Sequence, residues 1–366
     1  MLPRTDPERI GIYRVGHLGD TVVAMPAFWT VRQRFPDARI TLITVRHRED
    51  TRVQVFDVIP PGTVYDDLLA FPRRVSGGGL LSNLSRMWAI RKRRIETLVY
   101  LTARRTPTQM RRDRLFFRLA GVRSFVGMVS EVTIDRPQRP DGPLPTIQSE
   151  ADVLLDHLQK DGLILPEGVT PRMDLGLSLA EREQAAAWLN MAGFGPESRL
   201  VCVAPCSKMP SKTWPEERFV EVCRELDRRY ELRFVTLGGH SETGICELVA
   251  RSVRRGISAA GKLSIRESAA VACLSSMYLG VDSGPMHLAA SCGVPCVAVF
   301  AAVDWPGRWH PYGPGHHVHR RYVPCEGCRL DVCDKQNLCL TMIPASDVIA
   351  SCCTVLDRQG NSGHPE

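Results

Sequence analysis

Residues Leu279 to Phe300, LGVDSGPMHLAASCGVPCVAVF, leave the chain little choice of architecture. Tyr278 to Val281 end an apolar strand, and Asp282, Ser283, Gly284 and Pro285 then supply a helix cap, a small residue for close approach and a proline suited to a first helical turn. Met286 to Ser291 form the apolar side of a short helix, Gly293 ends it, and Val294 to Phe300 make the next strand. Two apolar strands joined by a helix form a parallel pair, and parallel sheets are covered on both faces. Such sheets bind ligands outside the carboxyl ends of their strands, where the free N–H groups of a helix start attract anions. The Ser283-Gly284-Pro285 turn therefore reads as a phosphate cradle or as plain capping. His287, one turn inside the helix, reads as a site residue or as a core histidine.

The rest of the chain repeats this rhythm. Arg9 to Val15 predict a strand, Thr21 to Phe35 a helix and Arg39 to Val45 a second strand. The intervening Gly16-His17-Leu18-Gly19-Asp20 lacks the GxGxxG spacing of dinucleotide sites. Asp20 reads either as a helix N-cap or as a carboxylate projecting into a cleft as a general base. Val53 to Pro72 shows no clear period. Ser76 to Gly79 make a flexible loop before a basic amphipathic helix, Leu80 to Arg94. A strand (Leu98 to Leu101), a second basic helix (Thr108 to Leu119), a short strand (Phe125 to Met128), a proline-rich loop (Arg136 to Pro145) and a helix (Ser149 to Lys160) follow, and Gly162 to Leu175 read as a linker.

The second half starts afresh. Helices over Leu179 to Met191, Glu216 to Tyr230, Glu242 to Arg251 and Ile265 to Leu274 alternate with strands over Leu200 to Ala204, Leu232 to Leu237 and near Ile257 to Ala259. Two loops after strands are expected on the same sheet edge as Ser283. One carries Ser207, Lys208 and Lys212, and lysines suit a phosphate; the other ends on Glu242, and a carboxylate there suits ribose hydroxyls.

Charge and cysteine usage narrow the partners. Between Phe71 and Phe125 fourteen arginines and lysines face only Glu96 and Asp113, while the whole chain carries +7. That segment makes a cationic surface suited to a polyanion, anionic lipid or nucleic acid. No aromatic-interleaved basic motif points to nucleic acid. No apolar run approaches the ~20 residues of a bilayer span, and the start, MLPRTDPERI, has no signal-peptide pattern, so a cytosolic chain is expected. Of thirteen cysteines, the seven from Cys202 to Cys296 are expected as reduced, buried thiols. Cys325, Cys328, Cys333 and Cys339 have the spacing C-x2-C-x4-C-x5-C, which wraps a structural zinc, less readily holds an iron–sulfur cluster, or forms a merely structural tail. A last helix is expected over Ala345 to Asp357.

The blocks GHLGDTVVAMPAFWTVRQRFPDARITLIT, KTWPEERF, LGGHSE and AGKLSIRESAAVACLSSMYLGVDSGPMHLAASCGVPCVAVF, the last followed by WHPYG, resemble the bacterial ADP-heptose:lipopolysaccharide heptosyltransferases, glycosyltransferase family 9, over nearly the whole chain. The resemblance implies an α/β fold of GT-B type, with two facing Rossmann-like domains of parallel sheet and a cleft between them. Residues 1–170 would form the acceptor side, 171–345 the nucleotide-sugar side, and 346–366 a helix and tail that in such transferases often crosses back to the first domain. It implies that Asp20 takes the proton of an acceptor hydroxyl, that Ser207, Lys208 and Lys212 hold the donor diphosphate, Glu242 the ribose and Leu263 the base. Ser283, Gly284 and Pro285 would present backbone to the leaving diphosphate, with Asp282 and His287 shaping the turn. Departures from the family pattern at Gly16-His17, Cys206 and Ala301-Ala302-Val303 bear on the donor more than on the fold. The implied activity is inverting transfer from a nucleotide-sugar donor to a lipopolysaccharide core or related glycan, with no cofactor for catalysis and no nucleic-acid partner, by a cytoplasmic protein peripheral to the inner membrane face. A nucleotide-sugar epimerase of the same architecture, or a non-catalytic polyanion or nucleic-acid-binding module, would share much of this pattern.

Overall fold

The computed structural model describes residues 6–46, 53–72, 80–102, 105–129, 142–165 and 168–361. The chain divides into two compact units, residues 1–135 with 150–176, and residues 136–149 with 177–366. Ser76 to Gly79, Arg136 to Asp141, Arg73, Arg74 and Arg104 lie outside the described residues.

The first unit runs β1 (Arg9–Tyr13), α1 (Leu18–Val23), α2 (Met25–Arg34), β2 (Arg39–Arg46), α3 (Val55–Val58), β3 (Asp67–Pro72), α4 (Leu80–Lys92), β4 (Thr97–Tyr100), α5 (Pro107–Leu119), β5 (Ser124–Val126) and α6 (Glu150–Lys160). Its strands are all parallel in the order β3-β2-β1-β4-β5. The single helix expected over Thr21 to Phe35 is two, because Pro26 opens α2 and cannot donate a backbone bond into a continuing helix. Strand β3 was invisible in the sequence: it is an edge strand with only Leu69 buried, so DLLAFP carries no two-residue period. Helices α4 and α5 cover one sheet face through Met87, Ile90, Met110 and Phe117.

The second unit runs α7 (Leu179–Met191), β6 (Arg199–Ala204), α8 (Glu216–Arg229), β7 (Leu232–Thr236), α9 (Thr243–Arg251), β8 (Gly256–Ser258), α10 (Ile265–Cys273), β9 (Met277–Val281), α11 (Gly284–Ser291), β10 (Cys296–Phe300), β11 (His317–Arg320), α12 (Leu338–Thr341) and α13 (Ala345–Asn361). Its six strands are parallel in the order β11-β10-β9-β6-β7-β8. Helix α13 buries Val348, Cys352 and Leu356 in this unit's own core. Residues 142–149 also belong here: the Ile147 N–H donates to the Pro306 carbonyl at 2.8 Å, and a Cβ on Gly307 would meet the Ile147 oxygen at 2.1 Å.

The cysteines depart from expectation. Cys273 and Cys292 are disulfide-bonded, joining the end of α10 to the end of α11, whereas Cys202, Cys206, Cys223, Cys246 and Cys296 are free. Cys325, Cys328, Cys333 and Cys339 are free thiols, and among the described residues no group of three or more His, Cys, Asp or Glu is arranged to hold a metal. Cys339 accepts the Ala302 N–H and Cys333 the Lys335 N–H, each at 3.3 Å, while Cys325 and Cys328 pack on the apolar core.

In the second unit two helix starts are locked by reciprocal caps, Ser178 with Glu181 and Ser264 with Glu267. Glu181 also takes two hydrogen bonds from Arg266, at 2.5 and 2.8 Å, which ties α7 to α10. Arg266 first, and Ser178 after it, hold the Glu181 carboxyl at about 2 against the opposing effect of burial. A depressed carboxyl contributes stability that is present above the usual value of about 4.3 and lost as pH falls towards 2. Glu181→Gln is therefore expected to lower stability by roughly 1 kcal/mol at neutral pH. In thermal melts the deficit should close on acidification from pH 4 to pH 2; a deficit that did not depend on pH would place its cause in packing.

Candidate functional site

The second unit's sheet reverses its strand order around β6 and β9, and loops leave both strands on the carboxyl edge, where open parallel sheets bind ligands. Gly280 lets these strands come close, since a Cβ there would stand 2.6 Å from the Ala204 carbonyl. The loop after β6 is short and pinned. A 3-10 turn over Pro210–Lys212 has the Ser211 N–H donating to the Asp331 carbonyl at 3.0 Å, and Asn337 donates to the Pro210 carbonyl at 2.9 Å. Trp214, fully buried against Phe219, donates its indole N–H to Ile343. This fixes Lys212, whose Nζ meets Asp282 Oδ2 at 2.6 Å with side chains 15% and 8% exposed. The ion pair thus joins the loop after β6 to the loop after β9. An ammonium has three donors, so two remain for a ligand.

Ser283 is the extended N-cap residue of α11, but its hydroxyl makes no capping bond. The first-turn N–H groups of α11 consequently lack a side-chain acceptor, the condition in which a helix start attracts an anion. Gly284 and Pro285 form that first turn, and His287 lies buried one turn further in. Ser207 accepts the Met209 N–H at 3.3 Å, and Lys208 is exposed on the same loop.

Two further loops share this edge. Glu242 closes the β7 loop by accepting the Gly239 N–H at 2.6 Å, and the Gly261 N–H donates to the Gly238 carbonyl at 3.0 Å, which holds the β8 loop and half-buried Leu263 against it. Gly261 has φ +70°, and a Cβ would come within 3.1 Å of His240, so glycine is needed there. The structure therefore gathers Ser207, Lys208, Lys212, Glu242, Leu263 and Asp282 to Pro285 on one edge, with His287 behind them.

Sequence reasoning missed His310. It follows β10, packs edge-on against Phe300 with centroids 5.1 Å apart, and accepts the Gly307 N–H at 3.2 Å. Burial first, then Arg320, lowers its pKa, while Asp282 acts in the opposite sense. It is thus a neutral imidazole near Asp282 at pH 7. The WHPYG run was the available signal. Nearby Asp304 fixes this loop by accepting from the Trp305 N–H, Arg308 and the Trp309 indole at 2.8 to 3.0 Å.

Asp20 stands at the carboxyl end of β1 in the first unit. It is not the N-cap of α1: His17 is, and Asp20, three residues on, accepts the His17 N–H at 2.8 Å through Oδ2. Gly16 makes room, since a Cβ there would lie 2.5 Å from that of Asp20. Beneath sits buried Arg14, which donates to the Asp20 and Leu101 carbonyls. Burial lowers the Arg14 pKa, and Asp20 and Glu150 oppose that shift. The loop is therefore preorganised around a carboxylate that keeps some exposure.

Comparison with known proteins bears on the fold. Residues 159–338 match the model of glycosyltransferase family 9 (heptosyltransferase). Lipopolysaccharide heptosyltransferase 3 of Escherichia coli strain K12 is 22% identical over 91% of this chain and 94% of its own length. An Escherichia coli protein of the same name is 29% identical over 173 residues, 44% of this chain and 48% of its length. Among solved structures, the glycosyl transferase family 9 protein of Veillonella parvula DSM 2008 superposes with a TM-score of 0.74 at 19% identity, covering 97% of this chain and 99% of that one. The Escherichia coli heptosyltransferase WaaC, solved with ADP-2-deoxy-2-fluoro heptose, superposes at 0.62 and 14% identity, covering 96% and 99%. At such identities the structural likeness carries the fold, two parallel-sheet α/β units of GT-B type.

Proposed function

We propose that the chain is a member of glycosyltransferase family 9, whose model its residues 159–338 match, and that it is an inverting transferase moving heptose from ADP-heptose onto a lipopolysaccharide core or a related glycan. The observation that carries the donor half is the Lys212–Asp282 pair, which presents an ammonium beside the uncapped start of α11. In this reading Lys208, Lys212, Ser207 and the backbone of Ser283 to Pro285 take the diphosphate. Glu242 takes ribose hydroxyls through the carboxylate oxygen not bonded to Gly239, and Leu263 lies against the base. Asp282 acts by holding Lys212 in place. An acceptor hydroxyl, giving its proton to Asp20, attacks the anomeric carbon as the bond to the diphosphate breaks. Direct displacement inverts that centre, and the charge gathering on the departing ADP is stabilised by the lysines and helix start. The reading assigns no step to a metal. A lipid-linked acceptor would bring the protein to the inner membrane face as a peripheral visitor; among the described residues no helix is long and apolar enough to cross a membrane.

The test is thermal stabilisation by ADP, UDP, GDP, CMP and their sugars. A ligand at a hundredfold excess over its dissociation constant adds about 2.7 kcal/mol to the native state, a shift of several degrees in the melting temperature. ADP and ADP-heptose are expected to give that shift selectively. A larger shift with another nucleotide would overturn the donor assignment, and release of free sugar with no acceptor present would favour the epimerase reading.

A further inference from the structure

We propose that the outer faces of α4 and α5 form a surface that docks onto an anionic lipid bilayer, with Leu81, Leu84, Trp88, Leu115 and Leu119 entering the interface and neighbouring cations meeting lipid phosphates. The proposal deepens the reading above, because a lipid-linked acceptor gives such a surface its use, but the surface is argued from its own side chains.

Each helix has already satisfied one face. Helix α4 turns Met87 and Ile90 to the sheet, and α5 turns Met110 and Phe117. On a separate side of α4, Leu81, Leu84 and Trp88 follow at spacings of three and four, which places them on one stripe. They are 82%, 48% and 66% exposed. On α5, Leu115 and Leu119 stand four apart and are each 59% exposed. The two helices are packed neighbours. Exposed leucines scattered singly are ordinary, but a cluster of large apolar side chains on adjacent helices marks an interaction surface.

The surrounding charge selects the partner. Arg91 and Lys92 close α4, Arg111, Arg112, Arg114 and Arg118 run along α5, and the only acids between residues 80 and 125 are Glu96 and Asp113. Asp113 is already engaged by Tyr100 at 2.7 Å and by Arg112 at 2.9 Å. Lys92 Nζ stands 5.5 Å above the Trp88 ring, which sets a cation beside the most insertable side chain. Arg114, Arg118 and Arg123 line one hollow of about 300 Å³ together with Ser124 and Asp161, so three cations face one carboxylate there and the hollow is net cationic. Tryptophan and leucine flanked by long basic side chains suit the interface of an anionic leaflet, where the stems cover apolar surface and the charged heads reach phosphate. A folded protein partner would need a broad acidic rim with an apolar centre. The bilayer supplies both along any length.

The experiment is co-sedimentation of the full chain with phosphatidylcholine vesicles, with and without phosphatidylglycerol, at low and high salt. Binding is expected only to the anionic vesicles, weakening with salt. Leu81→Ser/Leu84→Ser/Trp88→Ser should bind at least roughly tenfold more weakly, and Arg111→Glu/Arg118→Glu should bind weakly and lose the salt dependence, both at an unchanged melting temperature. Equal binding to neutral vesicles, or unchanged binding by both folded variants, overturns the proposal. So does a stripe variant whose only change is a lower oligomeric state, which would assign the stripe to a second copy of this chain. Transfer to a soluble, lipid-free glycan is measured in parallel. The stripe variant should keep it in full, and failure of the wild type on every acceptor would defeat the transferase reading while leaving the vesicle result to stand.

Discussion

Asp20→Asn is expected to bind ADP-heptose as the wild type does and to lose roughly 10²- to 10⁴-fold in kcat, the usual worth of a general base. The substitution separates the carboxylate's capping contact from its proposed role as base. Asparagine keeps an oxygen that can accept the His17 N–H, so the start of α1 should survive with little loss of stability. Asp20→Ala loses that cap as well and should cost about 1 kcal/mol in addition. Calorimetry with ADP-heptose, thermal melts and a transfer assay on the same preparations give the three readouts. If Asp20→Asn instead loses donor affinity and stability along with transfer, the carboxylate is a structural cap and no base. Gly16 sharpens the comparison. A side chain there collides with Asp20, so Gly16→Ala should disturb transfer through the loop while leaving the carboxylate in the protein.

What the sequence made legible was what it holds contiguously. The segment from β9 through α11 to β10 is one apolar strand, one capped turn and another apolar strand, and each signal agrees with its neighbour. The parallel register and the convergence of the Lys212, Glu242 and Ser283 loops on one edge follow once those strands are accepted. Of the four edge strands, β5 and β8 were expected, whereas β3 and β11 escaped for a physical reason. In β11 the residues HVHR are all half-buried, so neither an apolar run nor an alternation marks them. The Cys273–Cys292 bond joins residues nineteen apart on two different helices, and only the packing of α10 on α11 decides it. The spacing of the last four thiols is a statement about sequence only; what the fold adds is that Cys339 accepts the Ala302 N–H, Cys333 the Lys335 N–H, and Cys325 and Cys328 pack on the core. His310 escaped notice because the WHPYG run that carries it says nothing of the Asp282 charge that acts on its ring, a relation that only the fold creates.

Lys212→Met should cost the second unit more than any other single change to the donor side. It removes one partner from an ion pair in which both side chains are largely buried, and a buried carboxylate left alone typically costs about 3 kcal/mol or more. It also removes the ammonium that the proposed donor diphosphate would meet, so ADP affinity should fall by roughly tenfold or more, the worth of one charge-assisted bond. The two losses have different remedies. In Lys212→Met/Asp282→Asn no charge is left stranded, so stability should return most of the way while ADP affinity stays low. That non-additivity is what a double-mutant cycle isolates for residues in direct contact. Melting temperatures report the first quantity and nucleotide titration the second. A double variant that regained both would mean that Lys212 serves only to neutralise Asp282, and the diphosphate would then have to be held by Lys208 and the α11 start alone. A double variant that regained neither would locate the damage in the pinned turn over Pro210–Lys212, and Ser211, whose N–H anchors that turn to Asp331, would become the residue to probe next.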